Sequence, residues 1–248
     1  MIKHVLSFAT IAIFCIGNSF AACDDPAGPR VNWDGCNKSR LHMEKTEMKH
    51  SVLTGAVLSF ANLSGSRLDG SDLRQAKLND VNFSSLKAND TRFISANLNN
   101  ANLEKSQLRR SKFDRADLSQ ANLSNILAES AVFYSANLTN ANLENAHFEN
   151  ANFEQANLSG VKAKKAILDK ANLSSANLEG ASFTNASLVK AQLDNANLNG
   201  TDFSGADLSG ADLHNADITG ADFTNAKLGS AIWVNRKRCR RGSVGECK

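Results

Sequence analysis

From residue 51 onward the chain repeats a pattern of large apolar, polar and small positions with a period of five. The third residue of each block reads Leu53, Leu58, Leu63, Leu68, Leu73, Leu78, Phe83 and so on to Trp233. Of these 37 centre positions, 23 are Leu, nine are Phe, one is Ile and one is Trp. The exceptions are Ala88, Ala128 and Ala163. Two residues before each centre stands a small residue: Ala in 26 blocks, Ser or Thr in seven. Asn, Asp, Ser, Lys, Glu and Gly dominate the remaining places. No insertion breaks the phase, which extends back toward Val31 through Trp33 and Met43, although Lys38 interrupts it.

A period of five fits neither regular element. An α-helix, at 3.6 residues per turn, would smear the leucines around its whole surface. A flat strand, at period two, would send alternate centres to opposite faces. A coil that turns a corner every five residues buries every centre, and four such sides close a square coil of 20 residues. The centre side chain and the small residue two before it both point inward, and the small one must be small because the interior is narrow and close-packed. The other positions face water, where Asn, Asp, Ser and Gly are at home. Successive coils pair their backbones about 4.8 Å apart, so roughly ten coils give a rod about 50 Å long.

This geometry predicts columns of residues 20 apart. Phe93, Phe113, Phe133 and Phe153 form one, and Phe183, Phe203 and Phe223 another. Asn62, Asn82, Asn102, Asn122 and Asn142 form an outer column, predicted to hydrogen-bond as an amide ladder. Ala88 follows Leu86 and Ala128 follows Ile126, so large and small inward residues trade places there and conserve interior volume. Val161 and Ala163 are only partly compensated, which predicts a local narrowing or cavity.

The blocks Ala61-Asn62-Leu63-Ser64-Gly65, Ala141-Asn142-Leu143-Glu144-Asn145 and Ala206-Asp207-Leu208-Ser209-Gly210 resemble the pentapeptide-repeat family over about 41 blocks, Val31 to Asn235. The resemblance implies an all-β fold, a right-handed quadrilateral β-helix of about ten coils with four five-residue sides per coil. Handedness comes from the resemblance alone. Both ends resemble secreted bacterial members: Gly28-Pro29-Arg30-Val31-Asn32-Trp33-Asp34-Gly35-Cys36 at one, and Trp233 with Cys239 and Cys247 at the other. Relatives often dimerise, so the resemblance allows a homodimer, although capped ends disfavour end-to-end addition of strand edges.

Residues 1–22 read as an export signal cleaved near 21–22: Lys3 and His4, an apolar stretch from Val5 to Ile16, then Ser19-Phe20-Ala21. The apolar stretch is too short for a comfortable bilayer span, and no other long one exists, so no transmembrane segment is expected. The chain is expected in the periplasm or outside the cell. Residues 23–50 read as an N-terminal cap with irregular first repeats, 51–235 as the repeat body, and 236–248 as a basic C-terminal cap. Beyond Cys15, the cysteines are Cys23, Cys36, Cys239 and Cys247, an even set that reads as disulfides in an exported chain. Of three pairings the local ones, Cys23 with Cys36 and Cys239 with Cys247, are favoured. Two alternatives stand beside them: free thiols, and a lipoprotein acylated at Cys23, because Phe20-Ala21-Ala22-Cys23 weakly resembles an acylation box.

The 248 residues carry 28 Lys and Arg against 25 Asp and Glu, a net charge of +3 that excludes a wholesale polyanion ligand. At 42% apolar residues the chain is not disordered. Charge is unevenly placed. Asp202, Asp207, Asp212, Asp217 and Asp222 form a belt on successive sides, read chiefly as solubilising; a convex belt offers few converging oxygens for a divalent ion. Arg236, Lys237, Arg238, Arg240 and Arg241 crowd the tail, giving residues 236–248 a net +5. Such a cluster either offsets the Asp belt or attracts an anionic surface. It lacks the interleaved aromatics of a nucleic-acid site. Phe60 and Tyr134 point outward as candidate contacts for a protein partner. His42, His50, His147 and His214 show no metal spacing, although His42 and His50 could pair in space; no nucleophile arrangement or phosphate loop appears, and no cofactor is expected. A slim convex rod also lacks an enzyme's usual pocket. The expected function is a non-enzymatic exported scaffold or interaction rod for an unknown protein or anionic surface. The alternative is the DNA-mimicking, topoisomerase-binding role of some relatives, which are cytosolic and need an acidic surface. An enzyme is the third and weakest reading.

Overall fold

The computed structural model describes residues 22–248. The export signal therefore falls outside the described residues, apart from Ala22.

From Asn32 to Asp212, each residue just before a centre bridges in parallel to the residue 20 positions later. Four ladders start at Asn32, Asn37, His42 and Glu47 and run the length of the repeat, the first reaching Ile232. The four-sided coil is thus observed, but as isolated bridges: among the described residues no continuous strand forms. A side is too short for one, because the chain is extended for only about two residues before it turns. The bridges start at Asn32, so the twenty-residue register already operates in the first coil.

The block around Leu73 shows how each side is held. Asp72 N–H donates to Ser51 O in the preceding coil (2.9 Å); Leu73 and Gln75 donate to Arg92 O (2.7 Å) and Ile94 O (3.0 Å) in the next. Ala76 N–H closes the corner on Leu73 O (3.2 Å). The corner residue is left-handed, with φ of 58° at Gln75 and 57° at Asp80. That conformation costs an L-residue about 1–2 kcal/mol. Arg40, Lys45, Phe60, Arg110, Arg115 and Lys190 accept it as well as Gly and Asn do. The inter-coil bond from the corner N–H offsets the cost, so the corner tolerates almost any side chain that can point into water.

Every centre residue from Leu53 to Leu213 is completely buried. Phe93, Phe113, Phe133 and Phe153 stack with centroids 4.7, 4.8 and 4.7 Å apart and planes within 6° of parallel. Phe183, Phe203 and Phe223 form the second stack, at 5.6 and 5.3 Å. Leu86 and Ile126 are buried beside Ala88 and Ala128, as the volume exchange requires. Ala88 lies between Phe83 and Phe93 on the flanking sides, whose rings meet edge to face at 6.4 Å across it. At Val161 and Ala163 the ladder continues without a break (Lys162 N to Ala141 O, 3.0 Å; Ala163 N to Ser182 O, 2.7 Å), so the backbone does not narrow there. Where the small position is polar its hydroxyl is satisfied: Ser71 Oγ donates to Met48 O (2.9 Å), and Thr201 Oγ1 to Leu178 O (2.8 Å).

The ends differ from the body. Trp33 is buried, and its Nε1–H donates to Asp25 O (3.1 Å). Lys38, the out-of-pattern centre, lays its ammonium 4.3 Å over the Trp33 ring. At the other end the tail reverses and pairs antiparallel, Arg238 with Ile232 and Val244 with Lys227. It covers two sides of the last coil. The sides of Asp217 and Asp222 gain no bridge from it, so the expectation of closed ends is corrected: among the described residues two of the four edges at this end form no bridge. Among the described residues no helix is long and apolar enough to cross a membrane.

Candidate functional site

The C-terminal cap is positioned by backbone pairing and a disulfide. Cys239 is bonded to Cys247 with Cα atoms 4.9 Å apart, and Cys23 to Cys36 at 5.4 Å. Cys239 N–H donates to Ala231 O (2.9 Å), and Leu228 N–H to Ser243 O (2.9 Å). These contacts tie the tail to the last coil and leave Arg236, Lys237, Arg238, Arg240 and Arg241 exposed. None of the five forms an ion pair among the described residues. No belt carboxylate is in direct ion-pair contact with the cap among the described residues, although Asp212 lines a cleft with Arg236 and Arg238.

The belt carboxylates are occupied locally. Oδ1 of Asp202, Asp207, Asp212, Asp217 and Asp222 accepts the N–H two residues on, from Ser204 (2.8 Å), Ser209 (3.0 Å), His214 (3.0 Å), Thr219 (3.0 Å) and Thr224 (2.8 Å). Burial resists ionisation of Asp202 and Asp207, but the bonds from Ser204 and Ser209 outweigh it and hold both carboxyls below the usual aspartate value. Among the described residues, Asp207 alone of the belt pairs with a cation, Lys227 (3.3 Å).

The Asn column makes the same local bond, and over Asn102, Asn122 and Asn142 it also forms the expected ladder between coils. Asn62, Asn82, Asn102, Asn122 and Asn142 each accept the N–H two residues on within their own side. Only long 3.4 Å contacts link Asn122 to Asn102 and Asn142 to Asn122, while Asn62 donates to Glu44 instead (2.6 Å). The local bond rigidifies each turn.

A cleft of about 340 Å³ opens where cap meets rod, lined by Asp212, His214, Ile232, Arg236 and Arg238. Arg236 Nε–H donates to His214 Nε2 (2.7 Å). Arg238 Nη1 donates to Ser230 O (3.4 Å). The cap thus brings Arg236 and Arg238 together over an apolar Ile232 floor, while Phe60 and Tyr134 lie elsewhere. Phe60 is a left-handed corner residue, 51% exposed, with the Arg40 guanidinium 5.1 Å from its ring. Tyr134 is half-buried, and its hydroxyl donates to Gln155 Oε1 (3.0 Å). His42 contacts Glu44 (3.2 Å), and no group of three or more metal-binding side chains gathers among the described residues.

A family model described as pentapeptide repeats matches in eight copies, over residues 51–85, 76–113, 89–125, 136–174, 166–205 and 186–229. No match was found among curated proteins. Among solved structures, the chain is similar to HetL from the cyanobacterium Nostoc sp. strain PCC 7120, a pentapeptide repeat protein involved in heterocyst differentiation regulation. The identity is 27%, over 85% of this chain and 94% of that one, with a TM-score of 0.43. It is also similar to Rfr23 from the cyanobacterium Cyanothece 51142, at 34% identity over 37% of this chain and 63% of that one, TM-score 0.37. QnrB1, a plasmid-mediated fluoroquinolone resistance protein, matches at 20% identity over 79% and 88% of the two chains, TM-score 0.38. With its period of five, its buried centres and the matched blocks, the chain belongs to the pentapeptide-repeat family.

Proposed function

We propose that the protein is an exported, non-enzymatic rod, a right-handed β-helix of about ten coils, whose basic cap docks on an anionic surface or an acidic protein partner. One observation carries the reading: five cations on a disulfide-fixed tail, exposed and without an ion pair among the described residues. The Cys23–Cys36 disulfide supports export without acylation, because it occupies the sulfur that a lipid would need. The two unpaired edges at the last coil offer a second copy a place to pair, which supports a homodimer.

The test is sedimentation of the full chain with vesicles of anionic or zwitterionic phospholipid, alongside capture of acidic proteins from its native compartment. Binding that falls as salt rises and is lost in Arg240→Glu/Arg241→Glu supports the reading. Equal binding by parent and variant to every partner tried refutes it. Inhibition of gyrase supercoiling at low protein excess would replace it with the topoisomerase role.

A further inference from the structure

Away from the cap, one side of the rod departs from the repeat. Its centres are Leu73, Phe93 and Phe113. The residues before these centres are Asp72, Arg92 and Lys112, and those at the corners are Gln75, Ser95 and Arg115. The Asp72 side chain is only 8% exposed. It accepts Arg74 Nε (2.9 Å) and Nη2 (2.7 Å) from its own coil and Arg92 Nη2 (2.9 Å) from the next. One buried carboxylate therefore fixes two guanidiniums and neutralises one. Lys112 and Arg115 form no ion pair among the described residues.

Beside this clamp lies a cleft of about 240 Å³, lined by Thr54, Arg74, Gln75, Ile94, Ser95 and Arg115. The side chains of Thr54, Gln75, Ser95 and Arg115 make no hydrogen bond within the described chain. Elsewhere on the rod, outward hydroxyls commonly find a partner, as Ser59, Ser119 and Thr139 do. The cleft presents hydroxyl, amide and guanidinium donors, an apolar floor at Ile94, and no carboxylate in its lining. Donors from several directions suit a tetrahedral oxyanion, and guanidinium matches its paired oxygens. The volume is below the roughly 300–1,000 Å³ of ordinary small-molecule pockets, so it fits one group of a larger molecule.

We propose that this cleft binds a phosphate or sulfate monoester group, held by Arg74 and Arg115, with Ile94 seating the first carbons of the ester. The site is separate from the cap, so either can fail alone. The test is calorimetric titration of the full chain with phenyl phosphate and with phenyl sulfate at low salt. Saturable binding at one site is expected, weakened at least tenfold in Arg115→Glu and unchanged in Arg240→Glu/Arg241→Glu. Circular dichroism checks that the Arg115→Glu chain, altered at an exposed corner, is folded. Tighter phosphate than sulfate assigns a phosphate source, and the reverse order a sulfate source. No binding with Kd below about 10 mM, or equal binding in Arg115→Glu, overturns the proposal.

Discussion

Phe113 lies between two parallel rings, Phe93 at 4.7 Å and Phe133 at 4.8 Å, each within 2° of its plane. Replacing it with Leu installs the commonest centre residue of this chain, so the position itself accepts the substitution without strain. What disappears is two stacked pairs, at about 0.5–1.5 kcal/mol each beyond burial, or about 1–3 kcal/mol together. For a chain of this size each kcal/mol moves Tm by about 2–4 °C, so Phe113→Leu should lower it by about 2–12 °C. Phe183 stacks on one ring only, Phe203 at 5.6 Å. Phe183→Leu should therefore lose about half as much. Phe113→Ala leaves a void in a fully buried layer and should cost about 3–5 kcal/mol. Thermal melts followed by circular dichroism at matched concentration give all three values. If Phe113→Leu melts with the parent, or no lower than Phe183→Leu, the rings are interchangeable filling and the stack contributes nothing of its own.

Asn122→Asp keeps the acceptor for the Ser124 N–H and loses only the long Nδ2 donation to Asn102, so in denaturant melts it should cost less than Asn122→Ala, which should lose about 1 kcal/mol. Replacing Cys239 and Cys247 together with Ser should cost about 2–4 kcal/mol. In hydrogen exchange, protection should disappear at Leu228 and Ser230 while Leu53 to Leu213 keep theirs. The carboxyls of Asp72, Asp90, Asp202 and Asp207 sit below their usual range; burial opposes ionisation at Asp72, Asp202 and Asp207, and hydrogen bonds to the charged form win at all four. Their contribution is complete above the unfolded aspartate value of about 3.9 and fades as pH falls through the lower folded values. Melts between pH 6 and 2 should show Tm flat above that value and dropping below it; a Tm that rises on acidification would contradict the assignment.

The period of five was enough to place Leu53 and its successors inside and to bring Phe93 onto Phe113, because one repeated distance fixes both. The local cysteine pairs followed from parity and position. The amides were legible in part: Asn122 is a rung between Asn102 and Asn142, but its oxygen also accepts the nearer N–H of Ser124, a bond inside the turn that a spacing of 20 does not show. The tail gave no pattern at all, since its antiparallel return on Ile232 depends on a reversal after Trp233 that no periodicity encodes. The Asp72 clamp could have been found. Arg92 stands 20 residues after Asp72, and the pairing is visible once the chain is written in rows of that length.

The unbroken phase from Val31 to Trp233 also governs which changes in length the chain can survive. Duplicating or deleting a whole turn of 20 residues alters only how tall the molecule is, and every column stays aligned. Gaining or losing five keeps the leucines dry but rotates everything downstream by a quarter turn, so Phe stacks, arginine pairs and the tail meet strangers. A number that is not a multiple of five pushes leucines into water and asparagines into the interior. Length is therefore quantised here, and inheritance can tune the reach of the molecule in steps while its cross-section stays fixed.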